Sequence, residues 1–125
     1  MKILLVMKNI ALLNKLRQYV EKCYPDSIIF TATESKDALN LIRTSEEPID
    51  LCFTEILMGE ISGLKVIEEL RRTNRLSKAV LIAKDDHFAL EGWKVGMNDY
   101  LIEPLTLESV QHTLISCACN QKILK

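Results

Sequence analysis

Apolar residues gather along this chain in five short unbroken runs: ILLVM (Ile3–Met7), SIIFTA (Ser27–Ala32), LCFT (Leu51–Thr54), AVLIA (Ala79–Ala83) and DYLI (Asp99–Ile102). A strand with one wet face alternates apolar and polar residues. An unbroken run belongs to a strand covered on both faces, and such strands are typically parallel and packed between helices. Between the runs, apolar residues recur at helical spacing. Leu12, Leu13, Leu16, Val20 and Cys23 form one stripe, closed by Pro25. Ala38, Leu39 and Ile42 form a second, with Ser35 as its cap and Pro48 beyond its end. Leu64, Ile67 and Leu70 stripe a third helix. A fourth runs from about Asp86 to Gly96, a residue free to adopt the left-handed conformation that ends helices. Thr106 caps the fifth, with Leu107, Val110, Leu114 and Cys117 on one side.

Strand and helix therefore alternate five times. The expected fold is α/β: a doubly wound, five-stranded parallel sheet between two helical layers, with right-handed crossovers. No repeat, linker or low-complexity tract interrupts it, so residues 1–125 read as a single domain. In such sheets functional groups collect beyond the C-terminal ends of the strands. That rule alone selects Met7 and Lys8, Thr54 and Glu55, Ile82 to Lys84, and Glu103 with Pro104.

Composition narrows the picture. The chain is 48% hydrophobic and 26% charged, the balance of a globular domain. A formal charge of −1 supplies no general field for nucleic acid or acidic lipid. No apolar run approaches the roughly 20 residues of a membrane span. MKILLVMKN begins like a signal peptide, but its apolar stretch is short and no small-residue cleavage site follows, so it reads as a strand. Without a secretory signal, a cytoplasmic location is expected, with Cys23, Cys52, Cys117 and Cys119 reduced. His87 and His112 lack companions at ligand spacing and are expected at the surface. Arg71, Arg72, Arg75 and Lys78 read as a solvated helix end whose cations complement the dipole. There is no glycine-rich phosphate loop and no nucleophile–base pair, which argues against an enzyme or a nucleotide binder on this scaffold.

Four stretches, KILLVMKN, DLCFTEILMGEISGL, VLIAKDD and GWKVGMNDYLIEPLTLESV, carry a resemblance. They resemble, in order, the opening strand, acceptor loop, fourth strand and closing segment of response-regulator receiver domains. These CheY-like, flavodoxin-like (βα)5 domains are the phospho-acceptor modules of two-component signalling and phosphorelays. The resemblance spans essentially the whole chain, and its closing segment is the most specific part. It implies five chemical groups. Two acidic residues and an acceptor Asp hold Mg²⁺, which neutralises the transferring phosphoryl group. A Thr or Ser hydroxyl and a Lys ammonium then bind its oxygens.

All five differ here. The acidic pair falls on Met7 and Lys8, the acceptor on Glu55, the hydroxyl on Ile82 and the Lys on Glu103. The Ile82 assignment takes a one-residue deletion before Gly92; without it the position is Leu81, and neither carries a hydroxyl. Met58-Gly59 and Ser62-Gly63 replace the family's Met-Pro and Asp-Gly. The resemblance thus implies a pseudo-receiver that has lost Mg²⁺, takes no cofactor and acts through protein contacts. The Lys8 ammonium is expected to stand in for the metal between Glu55 and Glu103. The alternative is a receiver that still accepts phosphate on Glu55.

Tyr100 matches the family's rotating aromatic and is expected outward or fixed, with inward movement blocked by Ile82. Pro104 matches the family's cis proline. Trp93 is expected to be a buried anchor ahead of a partner hot spot. The implied partners are a protein or a second copy on the face of the fourth helix, fifth strand and fifth helix. A relic of a histidine-kinase contact is implied too, as is a DNA-binding output domain C-terminal to this chain, serving transcription regulation. No membrane partner is expected.

Overall fold

The computed structural model describes residues 1–56 and 61–123, with side chains described through Cys117. Met58 and Gly59 lie outside the described residues, as does the Cys119 side chain. The elements alternate: β1 (Lys2–Val6), α1 (Ile10–Cys23), β2 (Ile28–Ala32), α2 (Ser35–Thr44), β3 (Leu51–Glu55), α3 (Gly63–Thr73), β4 (Lys78–Ala83), α4 (Ala89–Lys94), β5 (Asp99–Ile102) and α5 (Leu107–Ile123). The strands form one sheet in the order β2-β1-β3-β4-β5, and every pairing is parallel. Each strand lies within a residue of its apolar run.

Because side chains alternate across a strand, the sheet carries two cores. On one side Leu5, Met7, Phe53, Val80 and Ile82 pack with Leu13 and Leu16 of α1 and with Val110 and Leu114 of α5. On the other, Leu4, Cys52, Leu81 and Ala83 pack with α2 and α3 through residues such as Leu39, Ile42, Ile67 and Leu70. Burial pushes the Cys52 thiol up to about 12, as expected of a small hydrophobe rather than a reactive group. Cys23, Cys52 and Cys117 are free thiols. Glu69, 6% exposed on α3, bonds Arg43 of α2 and its own neighbour Arg72. Their hydrogen bonds hold its carboxyl down at about 2, so α2 and α3 are joined by charge as well as by packing.

The helix ends follow sequence chemistry, with two corrections. The Asn9 side chain accepts the Leu12 N–H at 3.1 Å, and Ser62 accepts that of Leu64 at 3.1 Å. Thr106 and Ser109 exchange bonds, each side chain accepting the other's N–H, which is a reciprocal cap on α5. Gly96, at φ +93°, ends α4: its N–H donates to the Trp93 carbonyl while Met97 N–H donates to that of Gly92. Ser35, however, does not cap α2. It is the first helical residue, the cap position is Glu34, and Ser35 Oγ donates to the Ile61 carbonyl at 2.6 Å. The hydroxyl thus ties α2 to the chain entering α3. Helix α4 also starts three residues later than Asp86, because Asp85 Oδ1 accepts the His87 N–H and folds this segment into a turn.

Candidate functional site

The C-terminal ends of β1, β3, β4 and β5 open onto a cleft of about 560 Å³. Lys8, Glu55, Ile82, Lys84 and Glu103 line it, along with Asp85 from the loop after β4. Strand parity explains the convergence. Glu55 follows Phe53, and Ile82 follows Val80, on the α1/α5 side of the sheet. The β3–β4 ladder pairs Glu55 with Ile82 and Thr54 with Leu81. Ile82, not Leu81, is therefore the neighbour of Glu55, and an aliphatic side chain 1% exposed stands where the resemblance puts a hydroxyl. Met7 is fully buried in the same layer.

Glu55 is held by a backbone group. Its Oε1 accepts the Lys8 N–H at 2.7 Å, linking the end of β3 to the chain leaving β1. The expected contact through the Lys8 ammonium is not formed. Among the described residues the ion pairs are Lys2–Glu47, Arg17–Glu21, Arg43–Glu69 and Arg72–Glu69, none of them in this cleft. Lys8 is an exposed side chain, and a long, solvated ammonium gains little by ordering itself against a carboxylate. No side-chain pattern reveals this bond, because every residue but proline carries an N–H. Lys84, which carried no role in the sequence reading, acts on Glu55 through space more strongly than Lys8 does.

Desolvation raises the Glu55 carboxyl above its ordinary value; the Lys8 N–H opposes this, and the charge of Glu103 reinforces it. A carboxyl with a raised folded-state value binds its proton more tightly folded than unfolded. Its stabilising effect is complete below the unfolded value and is lost as pH rises through the folded one. Glu55→Gln keeps an acceptor for Lys8 and removes the charge. The variant is expected to match or exceed the natural chain in urea midpoint at pH 7, with the gap closing as pH falls toward 4. A lower midpoint at pH 7 would show instead that the carboxylate is stabilised in place.

Tyr100 packs against the α2/α3 core, and its hydroxyl donates to the Asp85 carbonyl at 2.6 Å, so the ring is held over the β4–α4 loop rather than turned out to solvent. Ile82 cannot block it, because Ile82 belongs to the opposite face of the sheet. The Glu103–Pro104 peptide is cis. Trp93 is not a buried anchor: it is 57% exposed, since α4 has only six residues and its inward positions are taken by Gly92 and flanking residues such as Phe88. His87 and His112 are both at the surface.

The donor set does not suit Mg²⁺, which takes oxygen ligands in near-octahedral geometry. A buried thioether and a lysine occupy the two positions beside Glu55, and one Glu55 oxygen is already bonded to an N–H. Among the described residues no group of three or more His, Cys, Asp or Glu is placed to hold a metal ion.

A five-stranded parallel sheet in this order, with a cleft at the C-terminal strand ends, is the flavodoxin-like, CheY-like α/β fold. The response regulator receiver domain model matches residues 3–115, and the chain belongs to that family. The transcriptional regulatory protein AfsQ1 of Streptomyces coelicolor is 31% identical over 78 residues, which is 62% of this chain and 34% of that protein. The transcriptional regulatory protein YdfI of Bacillus subtilis is 26% identical over 114 residues, 90% of this chain and 53% of that protein. The chain thus spans about a third to a half of these regulators. A response regulator receiver domain protein from Clostridium thermocellum superposes with a TM-score of 0.86 at 21% identity, covering 99% of this chain and 98% of that one. That likeness is one of fold. No helix among the described residues is long and apolar enough to cross a membrane.

Proposed function

We propose that this receiver domain signals through protein contacts without accepting a phosphoryl group. One observation carries the reading: Glu55 is bonded to the Lys8 N–H in a cleft lined by the aliphatic Ile82 and by a second carboxylate, Glu103, with the buried thioether of Met7 preceding Lys8 in the chain. Phosphoryl transfer depends on preorganised positive charge around the moving oxygens. Here Glu103 contributes the opposite sign, and the extra methylene of Glu shifts the attacking oxygen by about one bond length, where an error of about 1 Å can cost a hundredfold. The contact surface in this reading is the face of α4, β5 and α5, where Leu90, Trp93 and Ile102 are 64%, 57% and 48% exposed. Its setting is a cytoplasmic regulator, with an output domain acting on transcription as the names of its relatives suggest.

The test is incubation with acetyl phosphate, or beryllofluoride, and Mg²⁺. The expected result is no gain in mass and unchanged amide signals for Ile56 and Ala83. A phosphoryl adduct on Glu55 would overturn the reading in favour of a working acceptor.

A further inference from the structure

Beside the carboxylate cleft lies a second cavity of about 320 Å³, between α1 and the chain entering α5. Its walls are Met7, Leu12, Leu16 and Leu105, and most of its surface is apolar. Cavities that take small molecules run from about 300 to 1,000 Å³ and combine apolar walls with a few polar groups, so this one falls at the small end. Its charged groups are Lys15, Lys84 and Glu103: two ammonium groups against one carboxylate. The acids Glu55 and Asp85 line only the neighbouring cleft, and Lys84 lines both. Lys15 lines only the apolar cavity, which makes that end the more positive.

We propose that this cavity binds a small organic acid, with an aliphatic or aromatic body against the leucines and its carboxylate between Lys15 and Lys84. The body gains by leaving water, at about 25 cal/mol per Å² of apolar area buried. The head group gains from two exposed cations at the mouth, an attraction that solvent screens and that the apolar walls supplement. The residue at the end of β1 is decisive. A carboxylate at position 7 would put charge into the wall, whereas the buried Met7 side chain leaves it apolar and adaptable. The site adjoins Glu55 and is independent of whether Glu55 accepts phosphate.

The probe is octanoate, titrated into the ¹³C-methyl-labelled full chain without Mg²⁺ or phosphodonor, with octanol and octyltrimethylammonium as neutral and cationic counterparts. The expected result is saturable shifts at the methyls of Met7, Leu12, Leu16 and Leu105, with octanoate binding tightest and the cation weakest. The double variant Lys15→Gln/Lys84→Gln is expected to bind octanoate about tenfold more weakly, or about 1.4 kcal/mol, and to lose the preference over octanol. Leu12→Trp, at a position 41% exposed, is expected to fill the cavity and abolish the shifts without unfolding the chain. Non-saturating shifts spread over the surface, or equal binding of all three head groups, would overturn the proposal. Neither outcome bears on the acetyl phosphate test, whose ligand and readout lie in the other cleft.

Discussion

Gly63→Ala is expected to lower stability by about 3 kcal/mol, the upper end for overpacking a fitted position. An added Cβ would lie 1.9 Å from the Glu55 carbonyl oxygen, 2.8 Å from its carbon and 3.1 Å from Thr54 Oγ1. Two of these are backbone atoms of β3, which cannot turn aside as a side chain can. Gly63 is also bonded in place, its N–H donating to the Ile56 carbonyl at 2.9 Å. The start of α3 would have to lift, dragging Ile56 and Glu55 with it. Gly92→Ala is the control. There the added carbon meets Met97 Sδ at 2.3 Å and Cε at 2.9 Å, the far end of a flexible side chain, with Leu81 Cδ2 at 3.2 Å. Its cost is expected to be about 1 kcal/mol. In thermal melts Gly63→Ala should fall by roughly 10 °C and Gly92→Ala by a few degrees. Equal losses would mean that the junction of β3 and α3 is softer than its geometry implies.

That contrast separates what the local sequence dictates from what the packing of distant elements decides. The inner strands β1, β3 and β4 were legible because an unbroken apolar run has one stable use in a domain of this size, between two helical layers. The edge strands β2 and β5 are not covered on both faces and leave Ile28 and Ile102 54% and 48% exposed. The end of α4 was legible because Gly96 has the rare freedom its φ demands. Ser35 misled because a serine before an apolar stripe favours capping, but the approach of α3 offered its hydroxyl the Ile61 carbonyl instead. Leu12 counted toward the buried stripe of α1 yet is 41% exposed, since it lies on the flank that opens onto the two cavities. Trp93 looked like an anchor by size, whereas its burial depended on a helix length that the Asp85 turn shortened.

The site divides the same way. Its members were legible from strand ends, because the topology delivers every strand tip to one edge. Their interactions were not. Charge complementarity suggested that Lys8 would use its ammonium, and the fold instead used its N–H, which the turn out of β1 aims at Glu55 whatever the side chain. Tyr100 and Ile82 are close in the family pattern but separated by the sheet, a consequence of register that only the ladder fixes.

Reversing all five substitutions together is expected to create what the natural cleft lacks, whereas any one of them alone is not. The five positions now carry one ammonium and two carboxylates, net −1. Met7→Asp, Lys8→Asp, Glu55→Asp, Ile82→Thr and Glu103→Lys would give three carboxylates beside one another and one ammonium, net −2, a set of oxygens suited to Mg²⁺. Met7→Asp alone would bury an unpaired charge in an apolar layer where Met7 is now 0% exposed, at a cost of several kcal/mol. The five-fold variant should therefore melt below the natural chain in chelator. Mg²⁺ at a hundred times its dissociation constant would then contribute about 2.7 kcal/mol, raising the midpoint by several degrees. The natural chain should show no such response. With acetyl phosphate the five-fold variant should gain the mass of one phosphoryl group, while Glu55→Asp alone should gain none, because its acceptor would still face Glu103 and lack the oxygens beside it. A phosphoryl adduct on the single variant would show that acceptor length was the only barrier and that the surrounding charges matter little. A five-fold variant that folds yet ignores Mg²⁺ would place the barrier in the backbone, at the turn where the Lys8 N–H meets position 55.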